Sequence, residues 1–225
     1  MTYQFKKASI YLVIALSILS VESCRKKYFA TAEDMAEYGW VLYKSKDYIN
    51  SNSWFNDAVI KDIDWQDAYN GLGWSYSQLA GATAQHVLLD SGINNFMTAL
   101  TKPKDEWNIT DVQAEVLAGL TFAYHAKGND SKVLQFGSVF LDSTAKPLTP
   151  GWIFSHDSLL NYLDVRIVMA SSYFAKGKFD STIIQVKVIV DSTKYSKPAV
   201  TDTTLLGRKK MAEQLKELQE YLRTK

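Results

Sequence analysis

The 225-residue sequence predicts an all-α fold, an α-solenoid of about four helix pairs with a helix that caps its C-terminal end. Three observations lead to this prediction. The dipeptide Gly39-Trp40 recurs 34 residues later as Gly73-Trp74, and two weaker copies of the surrounding pattern follow. The last segment of the chain is amphipathic. The prolines lie in the inferred connections, where they break no helix: Pro103, Pro147, Pro150 and Pro198.

The composition excludes several classes of protein. With 25 basic and 24 acidic residues, the chain has a formal charge of +1. A nucleic-acid-binding protein needs a surplus of Lys and Arg on one face to contact phosphates, so this balance argues against one. The single cysteine excludes a disulfide framework and a multi-cysteine metal site.

The N-terminal segment, 1–23, is typical of an export signal. Lys6 and Lys7 precede a fourteen-residue uncharged stretch, which is shorter than the roughly 20 apolar residues of a membrane-spanning helix. A small residue, Ser23, directly precedes Cys24. This arrangement resembles the lipobox of bacterial lipoproteins, in which the signal is cut before the cysteine and the cysteine is lipidated. Val21 and Glu22 depart from that pattern. The alternatives are an ordinary secretory signal or an uncleaved anchor.

The lipoprotein resemblance implies a location as well as a modification. Cleavage before Cys24 removes Lys6, Lys7 and Glu22 and leaves 23 basic and 23 acidic residues, so the mature protein is neutral. Residues 24–30 become a tether. No aspartate follows the cysteine to signal inner-membrane retention, and there is no acidic run to direct surface display. The resemblance therefore implies an outer-membrane lipoprotein that faces the periplasm.

The first two repeats carry the strongest internal similarity. After its Gly-Trp pair, each has an aromatic residue and an alanine in the second predicted helix: Phe55 with Ala58, and Phe96 with Ala99. The second repeat contains a seven-residue insertion. These residues and the 34-residue period resemble the tetratricopeptide repeat (TPR), in which two antiparallel helices make one unit. The resemblance implies a TPR-like domain over 31–200.

Two later copies are weaker. Each keeps the first helix and the following turn, in 117–130 and in 166–179. In the third copy Gly137 and Phe140 stand where the family has Phe and Ala, and in the fourth copy Val186 and Ile189 do.

Two segments need separate interpretation. Residues 182–190 are rich in β-branched residues, which favour a strand, but Phe179, Ile183, Val186 and Val190 follow a helical stripe, so we predict a helix. Residues 201–225 form the predicted capping helix. Its apolar stripe consists of Leu205, Leu206, Leu215, Leu218 and Leu222.

Small residues and polar pairs predict how the helices pack and where they end. Gly39, Gly73 and Ala170 would let paired helices approach closely, and Gly128 and Gly177 would end helices in the left-handed conformation. Residue pairs three apart resemble capping pairs at helix starts. They are Thr31 with Asp34, Asp64 with Asp67, and Thr110 with Gln113.

The insertion at 144–161 contains an apolar cluster around Trp152 and Phe154. Such a cluster inside a loop is expected to fold back onto the body of the protein. The functional alternative is a lid or a loop that contacts a partner.

The sequence carries no recognisable catalytic motif. His86, His125 and His156 are isolated, without the spacing that holds a metal, and there is no phosphate-binding loop or nucleophile elbow. His156-Asp157 could be a base with its orienting acid, but Asp157 is better interpreted as the cap of a helix that begins near Leu159. We therefore predict a protein that is not an enzyme and needs no metal or cofactor.

The TPR resemblance implies a concave groove lined by the first helix of each pair, where a protein or peptide partner binds. Seven residues occupy positions that would point into this groove: Trp40, Tyr43, Asn70, Trp74, Phe122, His125 and Phe174. Aromatic residues are over-represented among interface hot spots. For Trp40 and Trp74, packing against neighbouring helices is an equal alternative. The alternative function is a permanent structural subunit of an envelope assembly or secretion complex.

Overall fold

The computed structural model of the protein describes residues 29–83, 85–104, 112–142 and 151–224. The predicted signal sequence, Cys24 and the tether as far as residue 28 lie outside the described residues. The elements below belong to one compact unit, which begins at Thr31.

The described part of the chain is mostly helical, which confirms the all-α class, with one small two-stranded sheet in addition. Its elements in chain order are α1 (Ala32–Lys44), α2 (Tyr48–Lys61), α3 (Gln66–Thr83), α4 (His86–Ala99), α5 (Val112–Ala126), α6 (Asp130–Leu141), β1 (Ile153–Phe154), β2 (Asp157–Asn161), α7 (Tyr162–Ala175), α8 (Phe179–Asp191) and α9 (Leu205–Arg223).

The helices contact one another in two ways. Each helix from α1 to α7 packs against the next in the chain, and the contacts are most extensive within the pairs α1/α2 and α3/α4. The first helices of successive pairs also contact each other directly, α1 with α3, α3 with α5 and α5 with α7. The four first helices therefore contribute to one continuous face.

Phenylalanines of the second helices insert between glycines of the first helices. A Cβ added to Gly39 or to Gly71 would lie 2.8 or 2.2 Å from the ring of Phe55, which is fully buried. Phe96 occupies the same place in the next pair. A Cβ on Gly73 would lie 2.4 Å from its ring, and one on Gly119 would lie 2.3 Å from it. The predicted close approach at Gly39 and Gly73 is confirmed.

The turns within three of the pairs use the left-handed conformation. Gly128 has φ +67° and Gly177 has φ +70°, as predicted. Lys46, at the matching place in the first pair, has φ 66° although it carries a side chain. The helix pair thus requires a left-handed backbone at this position whichever residue is there, and glycine adopts it with the least strain.

The predicted helix starts have mixed outcomes. Thr31 and Asp34 form a capping box at the start of α1, as predicted. The Asp64–Asp67 pair is wrong, because α3 begins at Gln66 and the carboxylate of Asp67 accepts hydrogen bonds from Trp40 and Asn70 instead. Thr110 lies outside the described residues.

The fourth first helix, α7, begins later than predicted. Asn161 caps it, in a capping box with Asp164. The interpretation of Asp157 as a cap near Leu159 is therefore wrong, since Asp157 and Leu159 belong to β2. The strand pairing with β1 extends the backbone as far as Asn161, and the helix can begin only after it.

The β-branched segment 182–190 lies in α8, so the predicted helix is confirmed. Its buried face is centred on Thr182, Val186 and Ile189, which is one residue away from the predicted stripe at two of the positions. The hydroxyl of Thr182 donates to the carbonyl of Ala170, which ties α8 to α7.

The C-terminal helix α9 packs against α7. Its buried face consists of Gly207, Met211, Gln214, Leu215, Leu218 and Leu222. Leu205 and Leu206 are 85% and 61% exposed, so the predicted stripe is wrong at these two positions, which lie in the first turn before the contact with α7 begins. None of the described helices is both long and apolar enough to cross a membrane.

Candidate functional site

A β-hairpin, 151–161, lies on the face formed by the first helices. Its strands pair antiparallel, with Phe154 opposite Asp157, so Ser155 and His156 form a two-residue turn at the tip. The backbone N–H of Tyr162 donates to the carbonyl of Trp152, which joins the base of the hairpin to the start of α7. The hairpin thus enters from the fourth pair and reaches residues of the first three.

Phe154 holds the hairpin in place through ring contacts. It is 1% exposed, and its ring stacks on Trp74 with centroids 4.3 Å apart. The rings of Trp40 and Tyr43 meet it edge-on at 6.0 and 6.2 Å. The apolar cluster of the insertion therefore folds back onto the body, as expected.

His156 lies flat on Trp40. The two ring centroids are 3.5 Å apart and the planes are within 2° of parallel. Trp40 also makes a polar contact: its indole Nε1 donates a hydrogen bond to Oδ2 of Asp67 at 2.7 Å. Trp40 is therefore fixed from two sides, by the hairpin and by α3.

Beneath the rings lies a chain of buried polar groups. Nδ2 of Asn70 donates to both neighbouring carboxyl groups, at 3.2 Å to Asp67 and 2.7 Å to Glu115. The other oxygen of Glu115 accepts from the hydroxyl and the backbone N–H of Ser155 at the hairpin tip. One network therefore connects α1, α3, α5 and the hairpin. We call this network, together with the rings of Trp40, Tyr43 and Trp74, the hairpin contact surface.

Burial shifts the pKa values of this surface away from their ordinary range. Glu115 is 2% exposed, and burial raises the pKa of its carboxyl to about 7, helped by the nearby charge of Asp67. Burial also raises the pKa of Asp67 despite its hydrogen bonds to Trp40 and Asn70. Burial lowers the pKa of His156 to about 3, with a further contribution from Lys44. The imidazole is thus neutral, and its 3.8 Å approach to Glu115 is not an ion pair.

Several polar atoms at this surface have no hydrogen-bond partner within the described part of the chain. They are both ring nitrogens of His156, Oδ1 of Asn70 and Nε1 of Trp74. A buried polar group without a partner costs about 1–3 kcal/mol. The apolar side chain of the hairpin is therefore well packed, whereas several polar atoms at this surface are not hydrogen-bonded within the described residues.

The structure brings together five of the seven residues predicted to line a groove. Trp40, Tyr43, Asn70 and Trp74 are buried, and all but Asn70 have ring contacts with Phe154. Half-buried Phe122 lies beside Trp74, with centroids 6.2 Å apart. In place of an open wall, this face carries the chain's own hairpin.

The remaining two predicted residues lie elsewhere. His125 is half-buried in the last turn of α5, where burial lowers its pKa. Phe174, near the end of α7, packs edge-on against Phe179 at 5.5 Å. Binding of a partner by any of the seven residues stays a prediction.

The sequence did not predict the roles that Asp67, Glu115 and the hairpin tip have at this surface. The sequence does carry one signal for Glu115. It is the one charged residue between Val112 and Leu120, a run in which Gln113 is the one other polar residue. Such a charge on a buried helix face needs a partner. Ser155 carries no comparable signal, since its partner Glu115 is 40 residues away.

Chemically, the arrangement holds two carboxyl groups and a neutral imidazole close together, with Glu115 buried and Asp67 and His156 half-buried. A pKa near 7, as for Glu115, lies in the range in which a carboxyl can act as a general acid or base. No group of three or more His, Cys, Asp or Glu side chains in the described residues is placed to hold a metal ion.

Glu115 and His156 should impose opposite pH dependences on stability. Glu115 has a folded pKa of about 7 against its usual 4.5, so its contribution is present below pH 4.5 and lost as the pH rises to 7. His156 has a folded pKa of about 3 against 6.5, so its contribution is present above pH 6.5 and lost as the pH falls. In the wild type the two contributions oppose each other between pH 4.5 and 6.5.

Glu115→Gln removes the first contribution and leaves the second. We expect the free energy of unfolding of this variant to rise by about 3 kcal/mol from pH 4.5 to 6.5, at about 1.4 kcal/mol per pKa unit, while that of the wild type changes much less. Urea denaturation at the two pH values measures the difference. Glu213→Gln, on the exposed side of α9, is the matched control and should follow the wild-type profile. Parallel profiles for Glu115→Gln and the wild type would contradict the raised pKa.

No family model matches this chain, and neither a curated protein nor a solved structure matches it.

Proposed function

We propose that this protein is a non-enzymatic lipoprotein of a bacterial cell envelope that binds a protein or peptide partner. In this proposal its helix pairs form a TPR-like α-solenoid, and the first helices line the concave groove in which the partner binds. The lipid on Cys24 anchors it in the outer membrane, facing the periplasm.

One observation carries the proposal. The first helices contact each other in succession, and their shared face presents aromatic rings to a segment that is not part of any helix pair. This segment is the chain's own hairpin. Because the hairpin packs on the face, it supports the proposal that the face can bind a peptide. The insertion of Phe55 and Phe96 between glycines of consecutive first helices supports a regular stacking of the pairs.

The anchor is tested by fractionation. Cys24→Ser should release the protein into the soluble envelope fraction or leave it as an uncleaved precursor, because more than one acyl chain makes membrane attachment stable. Membrane fractionation and mass spectrometry of the mature N-terminus measure the outcome. Recovery of wild-type protein that is soluble and free of lipid would contradict the lipoprotein assignment.

The partner is tested by copurification. The full-length lipoprotein is purified from detergent-solubilised membranes of its own cells, and the protein that elutes with it is identified and quantified. A partner that is lost on competition with an excess of soluble protein supports reversible groove binding. Recovery of the protein alone, with no bound peptide by mass spectrometry, contradicts the proposed function.

A second candidate function is a permanent structural subunit of an envelope assembly or secretion complex. It is favoured by large apolar side chains that are exposed on second helices: Ile49, Ile60, Val87 and Ile184. Permanent interfaces are more apolar than transient ones. A stoichiometric complex that survives competition, and that Ile60→Lys disrupts while Phe122→Ala does not, would favour this function over groove binding.

A further inference from the structure

The hairpin depends on the body for its structure. Within the described part of the chain its two strands pair only with each other, and an isolated two-stranded hairpin is marginally stable at best in water. Its outer side chains Ile153 and Leu159 are 57% and 65% exposed, so they contribute little burial. At its base Trp152 packs edge-on against Phe140, with ring centroids 5.1 Å apart. At its tip, Phe154, Ser155 and His156 contact the first helices.

The three residues make contacts of different quality. Phe154 is buried among Trp40, Tyr43 and Trp74. The hydroxyl of Ser155 donates to Glu115. His156 stacks on Trp40, but neither of its nitrogens has a hydrogen-bond partner among the residues that the structure describes.

The groups next to His156 would bind a positively charged hydrogen-bond donor more strongly than they bind a neutral imidazole. Oε2 of Glu115 lies 3.8 Å from Nε2 of His156, and Oδ1 of Asn70, whose amide binds that same carboxyl, has no hydrogen-bond partner among the described residues. The charge of Asp67 acts on Glu115, and the ammonium of Lys44 acts on His156. A guanidinium can stack on an indole and present several N–H donors to the Glu115 carboxylate, whereas a neutral imidazole has a single N–H.

We infer that the hairpin contact surface is a recognition site for a turn of a partner protein with the order aromatic, hydroxyl, arginine, in place of Phe154, Ser155 and His156. The chain's own hairpin occupies this site when the partner is absent. The inference rests on the proposed function, since it names the chemistry of the partner segment and a mechanism of self-occupancy for the same groove.

The test uses the full chain and synthetic turns as probes. The probe is a fluorescent, head-to-tail cyclised peptide of residues 151–161, and a second probe carries His156→Arg. Fluorescence anisotropy measures binding to the wild type and to the full chain with Phe154→Ala, whose own hairpin no longer fills the pocket. Phe154→Leu serves as a second host, because it keeps an apolar side chain and preserves the fold if the alanine variant loses it.

We expect the hosts with altered Phe154 to bind the probe at least tenfold more tightly than the wild type. The arginine probe should bind at least fivefold more tightly than the histidine probe, and Glu115→Gln in the host should abolish this gain. A probe with Phe154→Ala should not bind. Equal binding of the probe to the wild type and both hosts would overturn self-occupancy, and equal binding of the two probes would overturn the arginine.

Two further outcomes separate this inference from the proposed function. Dimers of the Phe154→Leu host with the wild type, seen by light scattering, would mean that the site receives the hairpin of a second copy, which overturns a partner turn. A copurified partner that remains bound when the arginine probe saturates the site would overturn the inference and leave the proposed function in place.

Discussion

Replacing Phe96 by alanine is expected to lower the free energy of unfolding by about 3–5 kcal/mol, the usual cost of removing a buried phenylalanine. Phe96 is fully buried, and its ring lies between the backbones of α3 and α5 at Gly73 and Gly119. Neighbouring residues cannot fill the space unless two helices move together. Urea denaturation of the wild type and the variant measures the loss.

A double-mutant cycle with Gly119→Ala tests the reason for this loss. In the wild type, the added Cβ would lie 2.3 Å from Phe96, so overpacking should cost about 1–3 kcal/mol despite the better helix propensity of alanine. With Phe96→Ala in place, the same change meets no ring and should stabilise the protein. The coupling between the two changes should thus be strong, at about 2 kcal/mol or more.

Gly81→Ala is the matched control for the glycine change. It lies in α3, and a Cβ there would meet nothing within 4 Å. The change should be neutral or stabilise by up to about 1 kcal/mol in both backgrounds. If Gly119→Ala behaved like Gly81→Ala in the wild type, the ring would not lie between the helices as described.

Trp74→Ala is expected to cost about 3–5 kcal/mol of stability, because the indole is 4% exposed. It touches Phe96, Phe122 and Phe154, so it joins the second helix pair to the third and to the hairpin. For a domain of this size, at about 2–4 °C per kcal/mol, the expected fall in Tm is roughly 6–20 °C. Differential scanning calorimetry gives the value.

The same variant distinguishes a packing role of Trp74 from a binding role. Trp54→Ala is the control, since Trp54 is a half-buried tryptophan on α2 with an edge-on contact to Tyr38. The expected large fall in Tm for Trp74→Ala alone would place Trp74 in the core. An unchanged Tm with affinity for the partner reduced at least tenfold would instead make Trp74 a binding residue.

Features that depend on a few neighbouring residues could be predicted from the sequence. The box of Thr31 with Asp34 and the turns at Gly128 and Gly177 are decided within four residues, and each is confirmed. Asp64 with Asp67 has the same local pattern, yet it fails because Trp40 offers Asp67 a hydrogen bond from 27 residues away. A local signal is reliable only where no distant group competes for the same atoms.

The candidate site could be predicted in part. The 34-residue repeat correctly placed Trp40 and Trp74 on one face, since equivalent positions of stacked helices point the same way. It could not predict their exposure. That depends on Phe154, which comes from a segment 80 residues beyond Trp74 and outside the repeat.

By itself, the sequence determined the helical class, the places of the helix pairs and the close approach at Gly39 and Gly73, because periodicity and residue size act along a helix or between adjacent ones. Only the tertiary structure decided that a hairpin covers the aromatic face and that Glu115 is buried beneath Ser155. An apolar helix face must be covered by something, but its own residues do not specify what covers it. The choice among distant segments is made by the shape and hydrogen-bonding groups that meet when the whole chain folds.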